Sequence, residues 1–100
     1  PVARSNASNF HIYRIPSSKE QEKIFEDLGF LGSKKMIKDL YDYSTNKPYN
    51  FLFVDALKNE AWKWGNQQPE FLWKKYSDDG GYNEPFTIPS NADILMEEED

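Results

Sequence analysis

The sequence predicts a small α+β domain in which an antiparallel sheet is packed on one face by two helices. Three observations predict it. The chain has only 100 residues, it carries a capped helical stripe in its first third, and its most apolar stretch is a short aromatic and β-branched run typical of a strand. Because 100 residues suffice for one core of ordinary size, we expect a single domain over residues 10–89, between a flexible arm at 1–9 and an acidic tail at 90–100.

The first strand and the first helix are predicted where the polar arm ends. Residues 10–15 alternate β-branched and aromatic side chains, which is typical of a strand. Ser18 can cap a helix that follows at once, and Gln21 stands where a capping box would close. The apolar stripe of this helix consists of Ile24, Phe25, Leu28 and Leu31. Gly29 or Gly32 is expected to end it.

Residues 34–43 fit either a helix or a strand. Their apolar side chains have helical spacing, at Met36, Ile37, Leu40 and Tyr41. Their position between two other elements suits a strand instead. Periodicity slightly favours the helix.

The strongest strand signal lies in the middle of the chain. Residues 44–48 form a turn-like group, and they lead into the aromatic and aliphatic run at 49–54. Both faces of this run are apolar, so we expect a central strand.

The last third of the ordered region is predicted with less regular structure. Residues 59–64 suit a short helix ended by Gly65, and residues 71–76 suit either a strand or a helix. A turn or linker is expected at 78–81 and an extended segment at 85–89.

Composition narrows the functional classes. The chain has no cysteine, which excludes disulfides and thiolate metal sites, and His11 is its only histidine, which leaves multi-histidine metal sites and catalytic triads without parts. The net charge of −5 argues against holding duplex nucleic acid by phosphate neutralisation. No run is long enough to span a membrane and no secretory signal is apparent. We therefore expect a cytoplasmic or nuclear binding protein, without catalytic activity, metal or cofactor.

Two segments resemble the RNA-recognition motif (RRM) family, over about residues 10–76. One is Phe-His-Ile-Tyr-Arg-Ile-Pro at 10–16, followed by the capped helix. The other is Lys-Pro-Tyr-Asn-Phe-Leu-Phe-Val at 47–54, which is similar to the octamer of that family, with a basic residue first and aromatics third and fifth. The resemblance implies a ferredoxin-like four-stranded sheet backed by two helices, and this fold requires a strand where periodicity favours a helix, at 34–43.

The resemblance also implies a function, namely binding of single-stranded RNA by stacking of bases on the sheet. The side chains it implicates are His11, Tyr13, Lys47, Tyr49, Phe51, Lys74 and Lys75. The rings would form the platform, and Lys47 would lie beside a phosphate. Stacking a base on an exposed ring contributes about 1–3 kcal/mol, so two or three such contacts can offset a modest net repulsion.

A protein-interaction domain is the alternative, acting as an adaptor or as an inhibitor of a basic or nucleic-acid-binding partner. Tryptophans often anchor protein interfaces, and the acidic tail carries a short apolar anchor. The residues implicated are Trp62, Trp64, Trp73, Ile94, Leu95 and Met96.

Overall fold

Five antiparallel strands form one sheet, and two helices pack on one of its faces, in a computed structural model that describes residues 2–6, 9–66, 68–76 and 84–92. The elements in chain order are β1 (Val2–Asn6), β2 (Asn9–Ile12), α1 (Ser18–Asp27), α2 (Lys34–Ser44), β3 (Phe51–Asp55), β4 (Glu60–Trp64) and β5 (Glu70–Lys74). The predicted α+β architecture is therefore confirmed. None of the described helices is both long and apolar enough to cross a membrane.

The strands follow each other across the sheet in the order in which they occur in the chain, β1-β2-β3-β4-β5. Both helices lie in the single connection between β2 and β3. The ferredoxin-like connectivity implied by the resemblance alternates as β-α-β-β-α-β and is not the one observed. Residues 34–43 belong to α2, as their helical spacing indicates, so the strand which that connectivity requires is absent at this position.

Serine side chains cap both helices. Ser17 Oγ accepts from the Glu20 amide at 3.4 Å, so the cap of α1 is Ser17, one residue before the predicted cap, and the helix itself begins at Ser18. Gln21 does not close a capping box, because its side-chain amide Nε2 donates to the Ile15 carbonyl at 2.6 Å instead. Ser33 Oγ accepts from the Met36 amide at 3.2 Å at the start of α2.

Residues 2–6, which the sequence assigns to a flexible arm, form β1 at the edge of the sheet. This strand pairs antiparallel with β2, with Val2 opposite Ile12 and Ala3 opposite His11. The pairing rests on backbone hydrogen bonds, which need no apolar alternation in the added strand. That is why the side-chain pattern of this segment gave no strand signal.

The predicted helix at 59–64 is wrong, because this segment forms β4. Asp55 caps the turn that precedes it, since its Oδ1 accepts from the amides of Leu57 at 3.1 Å and Lys58 at 3.2 Å. Asn59 completes the reversal with a φ of 54°, a left-handed conformation that asparagine tolerates. The open alternative at 71–76 resolves as a strand, since β5 pairs with β4.

The core lies between the sheet and the helices. Its fully buried side chains include Ile12, Leu28, Leu31, Ile37, Leu40, Tyr41, Leu52 and Val54. Beyond β5, residues 84–89 have no helix or strand, and the Glu84 carbonyl accepts from Trp73 Nε1 at 2.8 Å. The predicted turn at 78–81 lies outside the described residues, as do residues 93–100 of the tail.

Candidate functional site

The sheet face that the helices leave uncovered carries a continuous group of rings. We call this group the aromatic face, and it consists of His11, Tyr13, Phe51, Phe53, Trp62, Trp64 and Phe71. It arises from strand alternation, because successive side chains point to opposite sides of a sheet. Leu52 is fully buried under the helices, while Phe51 and Phe53 on either side of it remain partly accessible.

The centre of the aromatic face is a chain of ring contacts across β2, β3 and β4. Tyr13 lies 4.7 Å from Phe51 between ring centroids, and His11 lies 5.2 Å from Phe53. Phe53 stacks on Trp64 at 4.9 Å with an interplanar angle of 22°. Offset and tilted contacts of this kind are the preferred geometry for aromatic pairs. They hold the rings in place and leave 40% of Tyr13 and 38% of Trp64 exposed.

The aromatic face continues to the edge strand β5 and ends there on an ion pair. Trp62 meets Phe71 edge to face at 5.3 Å. Trp62 Nε1 also donates to Glu60 Oε1 at 3.2 Å, and the other oxygen of this carboxylate lies 3.4 Å from Lys74 Nζ. This border of the aromatic face therefore carries one acid and one base that neutralise each other.

A polar pocket lies at the other border, beside Trp64, with a volume of about 330 Å³. We call it the lysine pocket, and it is lined by Lys47, Lys63, Asn50, Asn66, Gln68 and Glu70 together with Trp64 and neighbouring backbone. The rim of the pocket has a glycine at position 65, where a Cβ would overlap the side-chain amide of Asn50.

The two lysines of the pocket differ in their surroundings. Lys47 is exposed in the turn before β3. Lys63 Nζ lies 4.3 Å from the centroid of the Tyr43 ring, and burial lowers the pKa of Lys63, an effect opposed by the charge of Glu70 and reinforced by that of Lys47. The hydroxyl of Tyr43 shares its single proton between the two carboxylate oxygens of Glu70, at 2.9 and 3.1 Å. Burial, followed by this contact with Glu70, raises the pKa of Tyr43.

Only some of the residues implicated in base stacking lie together on the aromatic face. His11, Tyr13 and Phe51 lie on the aromatic face as expected. Tyr49 is 75% exposed but lies before β3, in a turn with a φ of 71°, so it is not part of the sheet. Lys75 Nζ donates to the Phe30 carbonyl, away from the rings.

The three tryptophans implicated in protein binding lie in two different parts of the structure. Trp62 and Trp64 lie on the aromatic face, so the two competing functions point to one surface. Trp73 is 9% exposed and belongs to the core, which corrects its assignment to an interface. Ile94, Leu95 and Met96 lie outside the described residues.

Phe71 was not predicted as a site residue, and Trp62 and Trp64 were not predicted to join the rings of β3. The signal is the alternation of Ala61 and Lys63 with the two tryptophans, which places the tryptophans on one side of a strand. The assignment of this segment to a helix concealed it. In the described part of the chain, no group of three or more metal-binding side chains comes together.

No protein-family model, curated protein or solved structure matches this chain.

Proposed function

We propose that this domain is a non-catalytic module that binds single-stranded RNA by stacking unpaired bases on the aromatic face. The observation that carries the proposal is the set of partly accessible rings that extends across the strands from β2 to β5, on the sheet side that no helix covers. An antiparallel sheet that faces water normally presents polar side chains there. Rings at these positions add little to a core, so a ligand with flat apolar faces accounts for them best.

The energetics of stacking agree with the charge of the chain. Each base stacked on an aromatic side chain contributes about 1–3 kcal/mol. Tyr13 and Trp64 are the most accessible rings of the central group and lie on either side of Phe51. Two or three stacked bases would thus offset the repulsion from a net charge of −5. We expect affinity to depend more on the rings than on salt.

A protein partner is the second candidate, and one observation favours it. Trp62 and Trp64 lie on the same surface as the phenylalanines, and tryptophans surrounded by other rings are common anchors of interfaces. The acidic side chain of Asp55 lies at the end of β3, two residues from Phe53 on the same side of the strand, where it would suit a basic partner.

Tryptophan fluorescence tests the proposal directly. Titration of the full chain with single-stranded RNA, and separately with single-stranded DNA of the same sequence, should quench Trp62 and Trp64. Trp73 is buried on the other side of the sheet and gives a constant background. Trp64→Ala should weaken RNA binding by a factor of about 5–150, which corresponds to one stacking contact of about 1–3 kcal/mol.

Phe30→Ala provides the matched control. Phe30 is 37% exposed, close to the 38% of Trp64, but it packs on Phe10 away from the aromatic face. RNA affinity should be unchanged in this variant. Equal affinity in Trp64→Ala and the parent protein, with both folded by circular dichroism, would refute stacking on this face. Absence of any RNA binding, together with a protein partner that is lost in Trp64→Ala, would support the second candidate.

A further inference from the structure

The lysine pocket adjoins the aromatic face through a shared side chain. Trp64 lines the pocket and also stacks on Phe53. The pocket itself is formed where the turn before β3 meets the end of β4 and the start of β5. A ligand group that occupies it would therefore lie next to whatever stacks on Trp64.

The charges of the pocket favour an anion. Lys47 and Lys63 are close enough for the charge of Lys47 to act on Lys63. Among the described residues, neither amine has a carboxylate within ion-pair distance. The lining holds one acid, Glu70, against these two lysines, and the Glu70 carboxylate is held by the shared proton of the Tyr43 hydroxyl, so positive charge is in excess in the pocket.

The remaining lining supplies neutral donors. The side-chain amides of Asn50, Asn66 and Gln68 border the same space. Each amide has two N–H donors, and lysine has three. Burial of the Lys63 ammonium without a paired anion is unfavourable, and an incoming anion would relieve that cost. An oxyanion with several acceptor oxygens matches this set of donors.

We propose that the lysine pocket binds one phosphate group of the RNA strand whose base stacks on Trp64. This inference rests on the proposed function, and it fixes how the strand lies on the sheet. The backbone enters at the Lys47 and Lys63 border, and the bases extend over the rings toward the border where Glu60 pairs with Lys74. Phosphate neutralisation is thus confined to one end of the aromatic face.

The salt dependence of binding tests this. For single strands, each phosphate neutralised contributes about 0.7 to the slope of log affinity against log salt concentration. Lys47→Gln should lower this slope by about 0.7, so that a fourfold rise in salt weakens the parent protein about 2.6-fold more than the variant. Lys63→Met, which keeps an apolar side chain against Tyr43, should have the same effect.

Lys58→Gln is the matched control, because it removes the same charge from an exposed lysine in the turn at the opposite end of β3 and β4. Its slope should equal that of the parent protein. Equal slopes in Lys47→Gln, Lys63→Met and Lys58→Gln would overturn the pocket as a phosphate site.

A second measurement separates the pocket from the proposed function. Amide resonances of Asn50, Gly65 and Asn66 should shift on titration with inorganic phosphate, and they should shift more with uridine monophosphate than with uridine. If these shifts occur although the chain binds no RNA, the pocket is an anion site and the proposed function is wrong. If RNA binds through Trp64 but phosphate causes no shift and the slopes are equal, the pocket inference alone fails.

Discussion

The two faces of this sheet are built from alternate residues of the same strands, yet they differ in composition and in burial. The face under the helices carries mainly aliphatic side chains, and Ile12, Leu52 and Val54 have no exposed surface. The open face carries rings that remain partly accessible. The first face accounts for the stability of the fold. The second has a composition that stability does not require, and this is the physical reason to assign function to it.

A pair of alanine substitutions on neighbouring strands is the strongest test of this difference. Leu52→Ala removes a fully buried side chain and should lower the free energy of unfolding by about 2–5 kcal/mol. Trp64→Ala removes a larger but partly exposed side chain, and its loss should be smaller, about 1–3 kcal/mol for two ring contacts. Urea denaturation measures both. A larger loss for Trp64→Ala would show that the aromatic face is a second core.

Removal of one tyrosine hydroxyl from each face should give a smaller difference in stability between the two variants. Tyr41 is buried, and its hydroxyl oxygen accepts from the Ile15 amide at 2.7 Å. Tyr41→Phe leaves that amide buried without an acceptor and should cost about 1–3 kcal/mol. Tyr13→Phe, on the open face and 40% exposed, should change stability by less than about 0.5 kcal/mol. Equal melting temperatures for the two variants would contradict the contrast.

The closed face was largely predictable from the sequence, and the reason is periodicity. The buried residues of α2, β2 and β3 repeat at intervals that one local pattern explains. The helix over 34–43 was favoured by that pattern alone, and it overrules the strand required by the RRM resemblance. The spacing of apolar residues therefore predicted the secondary structure of 34–43 better than the order of elements in the RRM family.

The open face was only half predictable, because it depends on pairing between segments distant in the chain. His11 and Phe51 come together through the register of β2 with β3, and Trp64 joins them through β4. The turn that makes β4 possible relies on Asp55 and on the left-handed conformation of Asn59. Both residue types are common in turns, but asparagine is also a preferred helix N-cap, so Asn59 is equally compatible with the helix predicted at 59–64.

Lys63 is an exception to the apolar composition of the face under the helices. Its register partner is Leu52, so it belongs to the side of the helices, where other strand residues are apolar. Its side chain extends to the end of the sheet, where the ammonium lies over the ring of Tyr43 and Lys63 lines the lysine pocket. A lysine here is explained if its ammonium binds an anion.

The groups that face this ammonium are Tyr43 on α2, Lys47 in the turn and Glu70 on β5. Burial lowers the pKa of Lys63 below its usual 10.5. Its charge is therefore lost, as pH rises, before that of an ordinary lysine. Within that window the unfolded chain binds more protons, so this group alone makes stability rise with pH. The pKa of Tyr43 is raised, so its contribution is complete below pH 10.0 and is lost as pH rises through the raised pKa.

Binding should respond to pH in the opposite direction to the stability contribution of Lys63. Because the ammonium is the form that attracts a phosphate, affinity for oligoadenylate, whose base keeps its protonation state in the alkaline range, should decline as pH rises, and the decline should begin at a lower pH than for an ordinary lysine with a pKa of 10.5. Lys63→Arg keeps its charge throughout this range and should abolish the decline. Fluorescence titrations at constant ionic strength measure both. If parent protein and variant lose affinity in parallel, the decline belongs to another group, and Lys63 is a core lysine whose amine merely reaches solvent.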